Sequence, residues 1–378
     1  MKKIVTMLLA LSMLLAMTAC AGTPEAAAPA PAKETTALQA ASEETTPDTR
    51  MITDGMDRNV EIPYCVERIV CVGVGALRYT CYVGGASRVV GVEDYEKEPG
   101  MSRLYNYVNY DLFKDLPAIG TNGEPFAEEI INADPQVIVM SSYASQDPDE
   151  LSQKTGIPVV MVPGSDTTLD EKAYVTIRIL GELYQLESRA EELTAYLKAI
   201  QKDLDERTSA IAEEAKPSCY VGGVAFKGQH GFEGTEAYYG PFELIHAKNL
   251  ANTTEQTGAF NIDVEQVLSW DPDVIFLDFN GMSLINEDYG AHPDFYNALT
   301  AVKEGKVYSQ ISFRSYASNL ETALADAYYA ACVMYPEQFR DIDPVEKAGE
   351  IFTELLGSNP YSDLEEAGYA FCQITLGA

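Results

Sequence analysis

Basic and aromatic side chains follow several of the predicted buried strands of this 378-residue chain. Arginine, lysine and histidine form charge-assisted hydrogen bonds with anions, and aromatic rings pack against flat organic groups. Because the carboxyl ends of parallel strands meet at one edge of a sheet, we expect these side chains to line one binding cleft. The candidate ligand-binding residues are Arg78, Tyr79, Tyr143, Lys227, His230, Arg314 and Tyr316.

Other kinds of chemistry find less support in the residue pattern. The three histidines, His230, His246 and His292, are too few and too scattered to predict a bare zinc or manganese site, so we expect no protein-bound metal and no intrinsic cofactor. Gly73-Val74-Gly75 lacks the third glycine of a dinucleotide-binding motif, because Arg78 stands in its place. The sequence contains no GxSxG, HExxH or Walker A motif. A binding protein is therefore predicted, with a chelatase-like enzyme or a surface adhesin as the alternatives.

The strongly negative net charge of the chain disfavours some classes of binding partner on electrostatic grounds. The chain has 26 Lys and Arg against 58 Asp and Glu, which gives a formal net charge of −32. So acidic a protein is not expected to bind nucleic acid or an anionic membrane surface. Cationic residues at the strand ends of such a chain instead predict a local pocket for an anionic ligand.

The first fifty residues predict export and a tether. Two lysines precede an apolar run that ends at Ala19 and is shorter than the roughly 20 residues of a membrane-spanning helix. Its end, Met17-Thr18-Ala19-Cys20, resembles the lipobox of bacterial lipoproteins, so we predict a lipoprotein signal peptide over residues 1–20 that is lipidated at Cys20. Residues 21–50 are mostly Ala, Pro, Thr, Ser and Glu and predict a disordered tether. We therefore predict an extracytoplasmic protein that is anchored by lipid, in a periplasm or at a cell surface.

The remaining chain predicts two α/β lobes with mostly parallel sheets. Short β-rich runs alternate with helical stretches over residues 51–165, and again over residues 216–378. The longest helical pattern lies between them, over residues 166–215, with a break near Gly181 or Glu187. This pattern predicts a long helix that joins the lobes, with a surface helix hairpin on one lobe as the alternative.

An internal repeat indicates that the two lobes are built alike. Residues 126–139 and 263–276 align on Pro135 and Pro272. Each copy predicts a short helix, a sharp stop at an Asp-Pro pair and a buried strand. Two such copies on either side of the long helical pattern predict a repeated fold.

The second copy carries a resemblance to a known family. Residues 265–275 closely resemble the helix-to-strand motif of periplasmic binding proteins for iron complexes and vitamin B12. Residues 52–70 resemble that family's first hairpin and first core strand, and the whole resemblance covers about residues 51–357. It implies two lobes joined by one long helix, a ligand cleft between the lobes, and modest lobe closure.

The resemblance also implies a function and its partners. A monomeric lipoprotein would capture a ferric siderophore, haem or a corrinoid and hand it to an ABC permease with its ATPase subunits. An oxyanion such as molybdate or tungstate is the alternative ligand. The expected ligand is thus a metal chelate of iron or cobalt, and not a bare cation.

Two glutamates are the candidates for docking to the permease. In the family, one glutamate on each lobe engages arginines of the permease, and the matching residues are Glu128 and Glu265, each seven residues before its proline. Two separated carboxylates can form charge-assisted pairs with arginine and so fix the docking orientation. Glu129 is the competitor of Glu128, and both glutamates could instead be acids of a helical first turn that the helix dipole favours.

The cysteines leave the redox state open. Six of the seven cysteines follow Cys20, so up to three disulfides are possible. Cys71 and Cys219 stand in apolar, strand-like runs and are predicted to be buried free thiols.

Overall fold

The computed structural model describes residues 48–164 and 168–377. The predicted signal peptide, its lipidated Cys20 and residues 21–47 of the predicted tether lie outside the described residues. Within the described part of the chain, no helix combines the length and the apolar composition that crossing a membrane requires.

The first element is an antiparallel hairpin of β1 (Thr49–Thr53) and β2 (Asn59–Pro63). Arg50 in β1 donates to the backbone carbonyls of Glu182 and Leu183 at 2.8 and 2.9 Å. These bonds satisfy carbonyls in the last turn of a helix, which lack partners within the helix. The final residues of the predicted tether are therefore part of a strand.

The first lobe contains a parallel four-stranded sheet. Its strands are β3 (Ile69–Val72), β4 (Val89–Gly91), β7 (Val137–Ser141) and β8 (Val159–Val162). They lie in the order β4-β3-β7-β8, and every residue of β3, β7 and β8 is buried, as expected of a sheet covered on both faces. A small hairpin and four helices complete the lobe: β5 (Gly120–Thr121), β6 (Glu124–Pro125), α1 (Ala76–Val83), α2 (Leu104–Phe113), α3 (Ala127–Ala133) and α4 (Pro148–Thr155).

Two helices, and not one, occupy the predicted linker: α5 (Glu171–Tyr184) and α6 (Glu187–Thr208). Gln185 ends α5 with a left-handed backbone at a φ of 57°. The helix therefore breaks just before Glu187, the second of the two predicted positions. The hydroxyl of Tyr174 donates to Gln201 at 2.6 Å, which places α5 antiparallel to α6. The linker thus combines the predicted long helix with the hairpin that was its alternative.

The longer helix, α6, connects the two lobes. Its 22 residues correspond to a length of about 33 Å. Near its start, Arg189 donates to the carbonyl of Tyr82 in α1 at 3.4 Å, and near its end Arg207 pairs with Asp341 of the second lobe at 2.8 Å. One rigid element therefore has contacts with both lobes.

The second lobe repeats the sheet of the first. Its parallel strands are β9 (Ser218–Gly222), β11 (Lys248–Asn249), β13 (Val274–Asp278) and β14 (Val307–Gln310). Their order, β11-β9-β13-β14, matches the order of the first sheet position by position. The remaining elements are an antiparallel pair and eight helices: β10 (Gly234–Ala237), β12 (Gly258–Asn261), α7 (Gly240–Glu243), α8 (Val264–Trp270), α9 (Met282–Ala291), α10 (Pro293–Tyr296), α11 (Thr300–Lys303), α12 (Leu320–Met334), α13 (Pro344–Leu356) and α14 (Tyr361–Glu366).

The predicted repeat is confirmed in detail. Asp134 and Asp271 end α3 and α8 with left-handed backbones, at φ values of 51° and 47°. Pro135 and Pro272 follow, and a proline cannot continue the helix. In each lobe the chain then enters an inner strand of the sheet, β7 or β13. The predicted architecture of two similar α/β lobes is therefore confirmed.

One apolar core runs through both lobes. It joins buried side chains of α1, α6 and α12, among them Leu77, Leu193 and Leu324. Cys71 and Cys219 lie in this core as free thiols, 4% and 0% exposed, as predicted. Burial raises the pKa of the Cys71 thiol to about 12, because a thiolate loses its hydration there. A shared core also resists wide separation of the lobes.

Candidate ligand-binding cleft

A cleft of about 630 Å³ lies where the loops after β9, β13 and β14 face the first lobe. The first lobe contributes Ser102 and Asn122. Three of the seven predicted ligand residues line this cleft, which lies at the carboxyl ends of the strands as expected. The main second-lobe lining residues are Phe226, Lys227, Gln229, Asn280, Arg314 and Tyr316. A second cavity of about 880 Å³ shares Phe226, Lys227 and Arg314 with the first.

Arg314 is fixed in the cleft wall by a buried carboxylate. Its Nε donates to Oε2 of Glu236 at 2.6 Å, and its Nη2 donates to the other carboxylate oxygen. Glu236 in β10 is 1% exposed, whereas the Arg314 side chain keeps 24% of its surface exposed. Burial raises the pKa of Glu236, and the arginine opposes that shift. The bidentate pair orients the guanidinium before any ligand arrives.

Lys227 stands near the tip of a loop that His230 folds back on itself. The rings of Phe226 and His230 stack with centroids 4.0 Å apart, and Nε2 of His230 donates to the Phe226 carbonyl at 2.9 Å. Lys227 itself is exposed and has a left-handed backbone at a φ of 52°. The predicted histidine therefore shapes the loop, and the predicted lysine extends from it into the cleft.

The predicted first-lobe residues lie together, beside the main cleft. Arg78 is 1% exposed and donates to acceptors of the second lobe, while Tyr79 is 5% exposed and packs edge-on against Tyr82 with ring centroids 5.5 Å apart. Arg78, Tyr79 and Tyr143 line a void of about 10 Å³ together with Ala317, which also lines the cleft. Such a void holds about one water molecule, so these three residues border the ligand space and do not enclose it.

The glycine-rich loop after β3 is occupied by a carboxylate of the protein. The amides of Gly73 and Gly123 donate to the two oxygens of Glu93, at 2.9 and 2.5 Å. In a dinucleotide site such amides are directed at phosphate. Glu93, which is 2% exposed, therefore accepts the hydrogen bond of the Gly73 amide at this strand end.

Several lining residues were missed by the sequence analysis. Ser102 and Asn122 are small polar residues in loops, and Arg103, directly after Ser102, was the available signal for the first of them. Glu236 is the one acid in the short run Gly234–Ala237, and an isolated acid in a small strand could have been noted. Phe226 lies beside Lys227, and the alternation of an aromatic residue with a cation was its available signal.

A buried acid connects two of the cleft loops. Oδ1 of Asp278, at the end of β13, accepts hydrogen bonds from the Asn280 amide at 2.9 Å and from the Ser312 hydroxyl. The Asn280 amide also donates to the Ser312 oxygen at 3.0 Å. Asp278 is 1% exposed, and burial raises its pKa to about 7. Between about pH 4 and pH 7, this side chain is therefore protonated in the folded protein and ionised in the unfolded chain.

The contribution of Asp278 to the free energy of unfolding is expected to fall as the pH rises from about 4 to about 7. The folded pKa lies above the unfolded value, so the folded state binds more protons in that window, with a slope of up to about 1.4 kcal/mol per pH unit. Asp278→Asn should remove this contribution and be the more stable protein at pH 8. Urea denaturation of both proteins from pH 4 to pH 8 measures it. Parallel curves for the two proteins would contradict the assignment.

The two predicted docking glutamates occupy equivalent positions. Glu128 is the second residue of α3 and Glu265 is the second residue of α8, and both are exposed. Glu129 is exposed as well, but Gln266 takes the corresponding place in α8. The repeat therefore favours Glu128 over Glu129, and the docking role stays a prediction.

Known proteins with similar sequences are solute-binding proteins. The chain is 24% identical over 321 residues to the molybdate-binding protein MolA of Haemophilus influenzae, which covers 78% of this chain and 87% of MolA. It is 24% identical over 220 residues to the Fe(3+)-citrate-binding protein YfmC of Bacillus subtilis, with coverage of 58% and 65%. A solved periplasmic solute binding protein from Veillonella parvula has the same fold, with a TM-score of 0.67, 20% identity, and coverage of 82% of this chain and 94% of that one.

A family match extends across both lobes. Residues 69–310 match the model of a family described as periplasmic binding protein, from β3 of the first sheet to β14 of the second. The repeated sheets, the connecting helix and the cleft at the strand ends agree with that match. The chain therefore belongs to the periplasmic binding protein family, the extracytoplasmic substrate-binding components of ABC importers.

Proposed function

We propose that this protein, anchored through Cys20 and acting as a monomer, captures an anionic metal complex and delivers it to an ABC permease. The size and lining of the cleft carry the proposal. A volume of about 630 Å³ lies within the range of roughly 300–1,000 Å³ that organic ligands occupy. Lys227 supplies an exposed positive charge, Arg314 adds a guanidinium whose charge is balanced by Glu236, and Phe226 and Tyr316 supply aromatic surface. A ferric siderophore, haem or a corrinoid combines anionic groups with an organic surface, and so matches both kinds of lining residue.

An oxyanion is the second candidate ligand. The likeness to the molybdate-binding protein, over 78% of this chain, favours it. A single oxyanion fills only a small part of the cleft, and it makes no use of the aromatic rings. The metal complex therefore accounts for more of the lining.

Thermal unfolding against a ligand panel tests the proposal. The soluble body from Asp48 onward is heated with ferric siderophores, haem, corrinoids, molybdate or tungstate. A ligand at about 100 times its dissociation constant adds about 2.7 kcal/mol to the free energy of unfolding. We expect such a shift with a metal complex. A shift with oxyanions alone would assign the cleft to the second candidate, and no shift with any ligand would contradict both.

Lys227→Met is expected to weaken binding of that complex by about tenfold or more, because it removes a charge-assisted hydrogen bond to the ligand. Methionine retains the length of the side chain, and the exposed lysine has little part in folding. Lys248→Met removes another exposed lysine, in the edge strand β11, and serves as the control. Isothermal titration of the three proteins measures the effect, and equal affinities would remove Lys227 from the site.

A further inference from the structure

Arg78 connects the first lobe to the second through four hydrogen bonds. Its Nε donates to Oδ1 of Asn319 at 2.9 Å, and its Nη1 donates to the carbonyl of Ser318 at 2.9 Å. Its Nη2 donates to the carbonyls of Ser315 and Tyr316, at 3.1 and 2.5 Å. Three backbone carbonyls and one amide oxygen thus converge on a guanidinium that is 1% exposed. A buried guanidinium requires such partners.

The segment that Arg78 binds, Ser315–Asn319, has an unfavourable backbone. Tyr316 and Ala317 are consecutive non-glycine residues with φ values of 51° and 65°. This left-handed conformation is disfavoured for L residues and persists only where the surroundings hold it. The side-chain Nδ2 of Asn319 also donates to the carbonyl of Ser102 in the first lobe at 3.1 Å. Contacts from the other lobe therefore maintain this loop.

The first lobe also holds the Tyr316 side chain. Its ring stacks on Tyr95 with centroids 4.1 Å apart and planes 9° apart. The Arg103 guanidinium lies 5.5 Å from the Tyr95 centroid and 5.4 Å from that of Tyr316. Glu96 pairs with Arg103 at 3.2 Å and fixes it in place. The backbone and the ring of Tyr316 are thus both bound by first-lobe residues.

The same loop forms part of the ligand cleft. Ser315, Tyr316 and Ala317 line it, directly after Arg314. We propose that Arg78 is a positioning residue for the ligand: it holds Ser315–Asn319 in the cleft-forming conformation only while the lobes are together. A modest parting of the lobes at the permease then releases Ser315–Asn319, while Glu236 still holds Arg314, and lowers ligand affinity. The ligand part of this inference rests on the proposed function, whereas the loop part is measurable without any ligand.

Hydrogen exchange in the ligand-free protein tests the loop. The backbone amide of Asn319 donates to the Phe313 carbonyl at 2.9 Å. The backbone amide of Leu320 donates to the Tyr82 hydroxyl across the lobes at 3.1 Å. In Arg78→Met both amides should exchange about tenfold faster or more, because their local opening becomes easier. Amides of β7 should be unchanged, which shows that the first lobe is folded. Unchanged exchange at Asn319 and Leu320 would overturn the proposal.

A rescue variant separates positioning from direct contact with the ligand. Glycine adopts a positive φ without steric cost, so Ala317→Gly should keep the loop conformation when Arg78 is absent. With the ligand found in the panel, we expect Arg78→Met to weaken binding by about tenfold, as the loss of buried charged hydrogen bonds implies. Adding Ala317→Gly should recover at least part of that loss. Lost affinity with normal loop exchange and no rescue would instead make Arg78 a direct ligand contact.

Arg78→Lys provides a second route if Arg78→Met fails to fold. It keeps the positive charge, but a single lysine nitrogen with three donors cannot replace the four hydrogen bonds that Arg78 makes, so the backbone amide of Asn319 should exchange about threefold faster or more. Unchanged exchange in this variant would overturn the proposal. Faster exchange in a protein that binds no ligand of the panel would support the loop mechanism and contradict the proposed function.

Discussion

Arg314→Ala is expected to lower the free energy of unfolding by about 3–5 kcal/mol, because it leaves the carboxylate of Glu236 buried without its cation. Glu236 is 1% exposed and bonds to Arg314 through both of its oxygens. The loss should be smaller at pH 5 than at pH 8, because at lower pH the isolated carboxyl can be protonated and neutral. Urea denaturation at the two pH values measures both effects.

Replacing both partners provides the matched control. Arg314→Leu combined with Glu236→Leu should recover most of the lost stability, since an apolar pair often replaces a buried ion pair at little cost. The double variant should still bind the ligand poorly, because the cationic side chain is missing from the cleft. If the free energy of unfolding of Arg314→Ala lies within about 1 kcal/mol of the wild-type value, the pair contributes no more than a solvent-exposed ion pair and the prediction is wrong.

Replacing Glu128 and Glu265 together by alanine is expected to reduce ligand-stimulated ATP hydrolysis by the reconstituted importer about 30-fold or more. Truncating one partner of an interfacial charge pair costs about 2–5 kcal/mol, and the two glutamates act on separate lobes. Both side chains are exposed at the second position of equivalent helices, so neither folding nor ligand affinity should change. ATPase assays in proteoliposomes and parallel ligand titrations separate the two properties.

The neighbouring side chains give the control for docking. Glu129→Ala with Gln266→Ala changes the adjacent exposed positions on the same two helices. This pair should hydrolyse ATP at nearly the wild-type rate. If Glu129→Ala alone reduced the rate as much as Glu128→Ala, the alignment of the two repeats would not identify the docking residue.

The parallel sheets were predictable because buried parallel strands appear in the sequence as continuous apolar runs. Val137–Ser141 and Val274–Asp278 are such runs, and each follows an Asp-Pro stop. Leu104–Phe113 was missed as a helix because tyrosines and asparagines interrupt its apolar spacing. Gly234–Ala237 was missed as a strand because its four residues are too few to show an alternation, although all are buried.

The second-lobe half of the cleft was predictable because its cations follow strands directly. Lys227 and Arg314 were predicted on that basis, and both line the cavity. The partners of these side chains were not predictable, because they are distant in the sequence. Glu236 lies 78 positions from Arg314, and the Ser318 carbonyl lies 240 positions from Arg78. Only the folded chain shows that Arg314 lines the cleft while Arg78 binds the opposite lobe.

Locating a bound metal by anomalous scattering is the most direct test of ligand capture between the lobes. Crystals of the soluble body are grown with the iron or cobalt complex that gives the largest thermal shift. We expect one metal peak in the cleft, with the organic part of the complex in contact with Lys227 and Arg314. A peak elsewhere, for example in the groove of about 700 Å³ that Tyr174 and Lys198 line between α5 and α6, would contradict the proposed function.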